Sequence, residues 1–196
     1  MTTRDRSSHT AAGITIAAIV DAALAVIRAD GVGGLTMRAV AERLHVRAPS
    51  LYHHMRSKSE LLDLVARNAF DQFAADSAAY GELRTVDEWI ELTRSGSLEL
   101  RAFYAEHAGL AGLIQSKATP DRDQGAGSRA ELVRAQIDAL VRIGVPEPDA
   151  RHVFEVTARW TLAAVVAESL DGPDHFADGL DLFLHGVRAR LLELLS

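Results

Sequence analysis

The stretch Val46-Arg-Ala-Pro-Ser-Leu-Tyr-His-His-Met-Arg-Ser-Lys58 places a proline, a tyrosine, two histidines and three basic residues in thirteen positions. The pattern predicts a short helix that ends near Arg56. Pro49 would lie in its first turn, where no backbone N–H is needed, and Leu51 and Met55 are four residues apart on one face. The stretch therefore indicates a helix anchored by an apolar side that presents its polar, basic side to a partner.

Two more helices are predicted before this stretch. Apolar residues recur at steps of three and four over residues 14–29, and Asp30-Gly31 would end that first helix. Thr36 has the position of an N-cap for a second helix over residues 37–44, and His45-Val46-Arg47 forms a three-residue break. Three short helices, the last two joined by a tight break, are typical of a helix-turn-helix DNA-binding domain, in which the third helix enters the major groove.

The outer side of the third helix suits a DNA duplex. An arginine can form two hydrogen bonds with guanine, an alanine can touch a thymine methyl group, and serine, tyrosine and histidine can donate to bases or phosphates. A metal site at the adjacent histidines is not favoured, because neighbouring side chains of a helix point about 100° apart. The predicted DNA contacts are Arg47, Ala48, Ser50, Tyr52, His53 and His54, flanked by Arg38 and Lys58.

Charge is distributed unevenly along the 196 residues, whose net charge is −6. Residues 1–60 contain eight Lys/Arg and five Asp/Glu, a net of +3, whereas residues 61–196 contain thirteen and twenty-two, a net of −9. Because the attraction of phosphate is screened over about 8 Å at physiological salt, a local basic module can bind nucleic acid despite an acidic remainder.

Composition excludes several other classes of protein. The chain has no cysteine, which excludes disulfides and thiolate metal sites. Its N-terminus has no apolar leader, and no apolar run approaches the roughly 18 residues of a membrane span. We therefore expect a cytoplasmic protein with no membrane contact, no metal and no cofactor. No catalytic set can be assembled from the spacing of the histidines.

The rest of the chain also has helical periodicity. Ser57-Lys-Ser-Glu60 has the spacing of a capping box and would open a long helix with an apolar stripe as far as Phe73. No strand pattern appears, and residues 117–128 have the composition of a long loop. Helices are predicted over residues 86–107, 109–115, 129–143, 149–170 and 174–195.

Residues 14–70 resemble the N-terminal domain of the tetracycline-repressor (TetR) family. The resemblance rests on residues 36–44 (TMRAVAERL), on residues 46–54 (VRAPSLYHH), in which Leu-Tyr-x-His is followed four residues later by a lysine, and on residues 58–62 (KSELL). It implies that Thr36, Tyr52, His54 and Lys58 hold the phosphate backbone. It also implies that the bases are faced by Arg38, Arg47, Ala48, Pro49, Ser50 and His53.

The C-terminal part resembles, at fewer positions, the ligand-binding and dimerising domain of the tetracycline repressors themselves. The similar positions are Trp89, the turn at residues 140–145 and residues 160–166. That branch grips a magnesium-chelated drug partly through a histidine in the short middle helix and a later carboxylate. Here residues 109–115 contain no histidine and Glu168 is displaced. We therefore expect an apolar or aromatic ligand rather than magnesium–tetracycline.

Two sets of C-terminal residues are candidates for a site. The central helices offer side chains for a ligand cavity, although each aromatic among them could equally be ordinary core. The last two helices each have an apolar face that could form half of a four-helix dimer interface or could complete a monomeric bundle. The cavity candidates are Trp89, Leu100, Phe103, Tyr104, Ile114, Gln136, Phe154, Arg159 and Trp160. The interface candidates are Val153, Val156, Ala163, Ala164, Ala167, Phe176, Leu180, Phe183, Val187 and Leu191.

The sequence thus predicts an all-α, homodimeric transcriptional regulator. We expect a flexible arm (1–12), a three-helix helix-turn-helix domain (13–58) and a helical ligand-binding and dimerisation bundle (59–196). It would bind a pseudo-palindromic double-stranded operator, and the resemblance implies a repressor that is released by a small effector. Two alternatives remain: a DNA-binding regulator that takes no small molecule, and a helical enzyme.

Overall fold

The computed structural model describes residues 14–69, 77–116, 128–171 and 175–196. Within these ranges every regular element is an α-helix, which confirms the all-α prediction. Every helix described there is too short or too polar to span a lipid bilayer. The helices are α1 (Ile16–Gly34), α2 (Met37–Arg43), α3 (Ala48–Tyr52), α4 (Lys58–Asn68), α5 (Ser77–Glu82), α6 (Val86–Glu106), α7 (Leu110–Ser116), α8 (Ser128–Ile143), α9 (Glu147–Asp171) and α10 (Phe176–Leu194).

The clearest differences from the predicted helix boundaries are in α1, α3 and α4. Gly31 interrupts α1 with φ +68°, as the Asp30-Gly31 signal indicated, but a last turn follows to Gly34. α3 ends at Tyr52 instead of near Arg56, and α4 ends at Asn68. The later part of the predicted apolar stripe, Phe70 and Phe73, and the predicted arm both lie outside the described residues. α5 was not predicted, because six residues are too few for a helical period to be recognised.

The break between α2 and α3 is a Schellman turn. The N–H of His45 donates to the carbonyl of Glu42 at 3.1 Å, and the N–H of Val46 donates to the carbonyl of Ala41 at 3.0 Å. This turn requires a left-handed residue after the helix, and His45 provides it with φ +56°. The same pair of bonds ends α8, where Gly144 has φ +116°. A histidine therefore occupies a position that usually favours glycine.

Two clusters of buried side chains form the interior of the part of the chain that the structure describes. One joins α1–α4 to α6, α7, α9 and α10, and it includes Leu51 and Met55, which are 0% and 4% exposed. The other lies among α5, α6, α8, α9 and α10. Its largest member is the fully buried Trp89, whose indole N–H donates to the backbone carbonyl of Gln136 at 3.1 Å.

Backbone and side-chain contacts join the N-terminal helices to the rest of the chain. The N–H of Val32 donates to the carbonyl of Ala108 at 2.9 Å, just after the kink at Gly31. Arg28 forms an ion pair with Glu106 at 2.5 Å on the surface beside this bond. The end of α1 is therefore tied to the loop between α6 and α7.

Two ion pairs hold α6 and α10 side by side. Arg188 contacts the Asp87 carboxylate at 2.6 and 3.3 Å, and Arg94 contacts the Asp181 carboxylate at 2.6 and 3.2 Å. On each helix the acid precedes the base by two turns, so the pairs form only when the helices run antiparallel. The hydrogen bonds and charge of each arginine hold the pKa of its partner carboxyl below the ordinary 3.8.

His45→Gly should stabilise the folded protein. The left-handed conformation costs a residue with a side chain more than it costs glycine, and part of that gain is offset by the greater freedom of glycine in the unfolded chain. We expect the free energy of unfolding to rise by about 0.5 to 1 kcal/mol, measured by urea titration. Gly144→Ala is the opposite change at the equivalent turn of α8, and it should lower the free energy of unfolding. Equal stability of His45→Gly and wild type would argue against strain at this turn.

Acid should weaken the pairing of α6 with α10. A carboxyl whose folded pKa is lowered contributes stability above its unfolded pKa of 3.8 and loses it as the pH falls through the folded value. Asp87→Asn/Asp181→Asn should therefore have a lower Tm than wild type at pH 7, and the difference should shrink towards pH 3. A Tm difference that is the same at both pH values would show that these pairs do not contribute to stability.

Candidate nucleic-acid interface and small-molecule cavity

The helices α2 and α3 share a polar outer surface. Leu51 and Met55 attach α3 to the core, while Tyr52 is 51% exposed although it is a large aromatic residue. None of the ten predicted DNA contacts is buried, and they lie on α2, α3, the adjoining caps and turns, and the first residue of α4. The exposed residues are Thr36, Arg38, Arg47, Pro49, Tyr52, His53, His54 and Lys58; Ala48 and Ser50 are half-buried.

The N-termini of α2 and α4 position two of these side chains. The hydroxyl oxygen of Thr36 accepts a hydrogen bond from the N–H of Ala39 at 3.1 Å, as its predicted role of N-cap requires. A hydroxyl that accepts in this way can still donate its own proton to an outside acceptor. Lys58 is the first residue of α4, which Ser57 caps by accepting from the N–H of Glu60 at 3.1 Å. The positive end of the α4 dipole therefore adds to the charge of Lys58.

Arg38 has an internal partner on the same surface. Its Nε donates to the Glu42 carboxylate at 2.8 Å, one helical turn along α2, and both side chains are well exposed. This hydrogen bond, together with the charge of Glu42, raises the pKa of Arg38 above its already high usual value. This contact uses one of the five N–H groups of Arg38 and leaves the others available to an outside acceptor.

A cavity of about 270 Å³ lies among α5, α6, α7, α8 and α9. Its walls are mostly carbon, supplied by leucine, alanine, valine, isoleucine and aromatic side chains. The predicted cavity residues that line it are Leu100, Ile114, Gln136 and Phe154.

The other five cavity candidates lie elsewhere. Trp89 is fully buried behind Gln136, and Phe103 and Tyr104 pack in the core that α6 shares with the N-terminal helices. Arg159 is on the surface and contacts Glu155 at 3.6 Å. Trp160 stacks on Phe183, with ring centroids 4.8 Å apart. The four aromatic side chains among them were indistinguishable from cavity residues in the sequence, since cores and cavities use the same apolar residues.

Sequence reasoning missed the hydroxyl groups of the cavity. Thr93 and Ser97 on α6, and Thr157 and Thr161 on α9, all line it and are 4–6% exposed. Each pair is spaced four residues apart, so each pair lies on one face of its helix. The signal was present, because small hydroxyl residues at this spacing interrupt the apolar face of both helices.

The candidate interface residues divide into two groups. Val153, Phe176, Leu180 and Leu191 are buried within the chain's own core and have little surface left for a second copy. Val156, Ala163 and Ala167 are exposed, and Ala164, Phe183 and Val187 are half-buried. Leu182, which was not among the candidates, is 78% exposed on α10. The described part of α9 and α10 thus retains an apolar outer face.

A family model described as "Bacterial regulatory proteins, tetR family" matches residues 19–65, which include α2 and α3. An HTH-type transcriptional regulator of Saccharopolyspora erythraea is 31% identical over 170 residues, which cover 85% of this chain and 66% of that protein. The tetracycline repressor protein class A from transposon 1721 of Escherichia coli is 30% identical over 157 residues, 80% of this chain and 68% of the repressor. The chain thus spans about two thirds of the length of these two relatives.

Among solved structures, a possible TetR family transcriptional regulator from Streptomyces coelicolor has the same fold. Its TM-score is 0.70 at 23% identity, and the match covers 90% of this chain and all of that one.

Proposed function

The chain belongs to the TetR family of DNA-binding transcriptional regulators, and we propose that it acts in the cytoplasm as a homodimeric repressor. It binds a pseudo-palindromic operator and is released by a small, mostly apolar molecule. The observation that supports the proposal most directly is the exposed set of polar and basic side chains on and beside α3, which the buried Leu51 and, three residues after the helix ends, the buried Met55 attach to the core. Such a helix can enter a major groove without rearranging its anchor.

We assign two kinds of DNA contact to this surface. Arg38, Arg47, Ala48, Pro49, Ser50 and His53 face the base edges, whereas Thr36, Tyr52, His54 and Lys58 hold phosphates. The available hydroxyl proton of Thr36 and the position of Lys58 at the start of α4 support the phosphate roles. The half-buried Ala48 and Ser50 suit close approach to bases, because short side chains let the helix lie deep in the groove.

The proposed dimer uses the outer apolar face of α9 and α10. Two recognition helices must lie about 34 Å apart to reach successive major grooves, so the dimer sets the register of the operator. We place Val156, Ala163, Ala164, Ala167, Phe183 and Val187 at this interface and add Leu182, whose exposure is unusual for leucine.

The proposed domain division assigns residues 13–58 to DNA binding and 59–196 to effector binding and dimerisation. An effector can release DNA only if it prefers a conformation in which the reading helices are out of register. The cavity and the α2–α3 surface are separate sites, which is the arrangement that such coupling requires.

Selection of bound duplexes from a random DNA pool, at near-physiological salt, tests the proposed function. We expect enrichment of a two-fold symmetric motif, since a homodimer presents two identical reading helices. Enrichment of an asymmetric motif would contradict the homodimer. No enrichment by folded protein would contradict operator binding itself.

Arg47→Ala and Lys58→Ala should separate base reading from phosphate binding. Loss of a bidentate arginine–guanine contact should weaken operator binding by about 1–3 kcal/mol and relax the preference at one base pair. Lys58→Ala should weaken binding to operator and random DNA alike and lower the slope of log K against log salt by about 0.9. Both are measured by fluorescence anisotropy at several salt concentrations. If Arg47→Ala lost equal affinity for operator and for random DNA, Arg47 would be assigned to a phosphate contact instead.

A further inference from the structure

The size of the cavity among α5–α9 restricts its occupant. Binding sites for drug-sized molecules enclose roughly 300–1,000 Å³. At about 270 Å³, this cavity is just below that range. It therefore suits a molecule of about two rings rather than an extended polycyclic one.

The charge of the lining restricts the occupant further. Among the described lining residues, Glu99 is the one that carries a full charge at neutral pH, and it is exposed. No lysine, arginine or histidine of the described chain lines the cavity. An anion would therefore lose its hydration without gaining a positively charged partner, and it would be repelled by Glu99.

The hydroxyl groups of the cavity are incompletely paired. Thr157 donates to the carbonyl of Val153 at 2.8 Å and is satisfied. Ser97 and Thr161 share one contact of 3.4 Å, which is long for a hydrogen bond between hydroxyls. The buried hydroxyl of Thr93 has no hydrogen-bond partner within the described part of the chain. A buried donor without a partner destabilises the protein that contains it, so this position favours an occupant that can pair with it.

We propose that the cavity binds a neutral, mostly apolar molecule of about two rings that carries a carbonyl oxygen, and that this oxygen accepts a hydrogen bond from Thr93. The apolar walls bury the rings, and the oxygen pairs with the buried hydroxyl of Thr93, for which the described part of the chain offers no partner. The role of this molecule as an effector rests on the proposed function, whereas its binding to the cavity does not.

Two matched pairs of probes test the proposal: benzophenone with diphenylmethane, and 1-tetralone with tetralin. Each pair differs by a carbonyl oxygen. Binding to the full chain without DNA is measured by equilibrium dialysis for wild type and Thr93→Val, which removes the hydroxyl and keeps the shape. We expect Thr93→Val to weaken the binding of both ketones by about fivefold, which is the effect of one neutral hydrogen bond. The affinity for both hydrocarbons should stay unchanged. The anion 4-benzoylbenzoate should bind wild type more weakly than benzophenone.

Thr157→Val is the matched control, because the hydroxyl that it removes from the same cavity already has a hydrogen-bond partner. This substitution should change the binding of ketones and of hydrocarbons equally. Thr93→Val should also raise the Tm of the ligand-free protein by about 2–4 °C, since it removes an unpaired buried group. A lower Tm would mean that Thr93 already has a partner, and it would overturn the proposal.

Failure of this proposal can be told apart from failure of the proposed function. Ketones that do not bind wild type, or that bind Thr93→Val equally well, would overturn the ligand class while a two-fold symmetric DNA motif could still be selected. Ketone binding that depends on Thr93, without any selected motif, would support the cavity and contradict the operator.

Discussion

The packing of α7 against its neighbours is the constraint on which the proposed regulation depends. This helix of seven residues contacts α1 and α4 on one side and α9 on the other, and the loop before it accepts the hydrogen bond from Val32 to Ala108. Ile114, fully buried on α7, also lines the cavity. An occupant that pushes on Ile114 therefore acts on a helix that supports α1 and α4. Packed interiors transmit strain, so a shift of α7 would reach both of these helices.

The turn between α2 and α3 is the most demanding local feature of the proposed DNA-binding surface. The two bonds of the Schellman turn at residues 41–46 set the angle at which α3 leaves α2, and they hold His45 in a left-handed conformation. A glycine would satisfy the same geometry at lower cost. The side chain of His45 is exposed, so its burial does not offset this cost.

Much of the DNA-binding half could be predicted from local signals. Thr36 as N-cap, Pro49 in the first turn of α3, and Leu51 and Met55 as anchors each depend on residues within one or two helical turns, and the structure has all of them. The cavity could not be predicted in this way. Whether Phe154 lines a space or Phe103 fills a core depends on how α6, α8 and α9 meet, which is a tertiary property. The hydroxyls at four-residue spacing were the available clue, since a polar group on an apolar face must find a partner.

Electrostatics explains why an acidic protein can still contact DNA through one surface. Three arginines of the C-terminal part, Arg94, Arg101 and Arg188, are each bound by a carboxylate through two hydrogen bonds. These arginines are therefore already paired with carboxylates of the protein itself. The excess acidic residues of 61–196 give that part of the chain an electrostatic field that repels phosphate. Arg47 and Lys58 have no such partner among the described ion pairs. Since attraction and repulsion are both screened over about 8 Å, the acidic part repels DNA from its own surface without weakening the contacts proposed at α3.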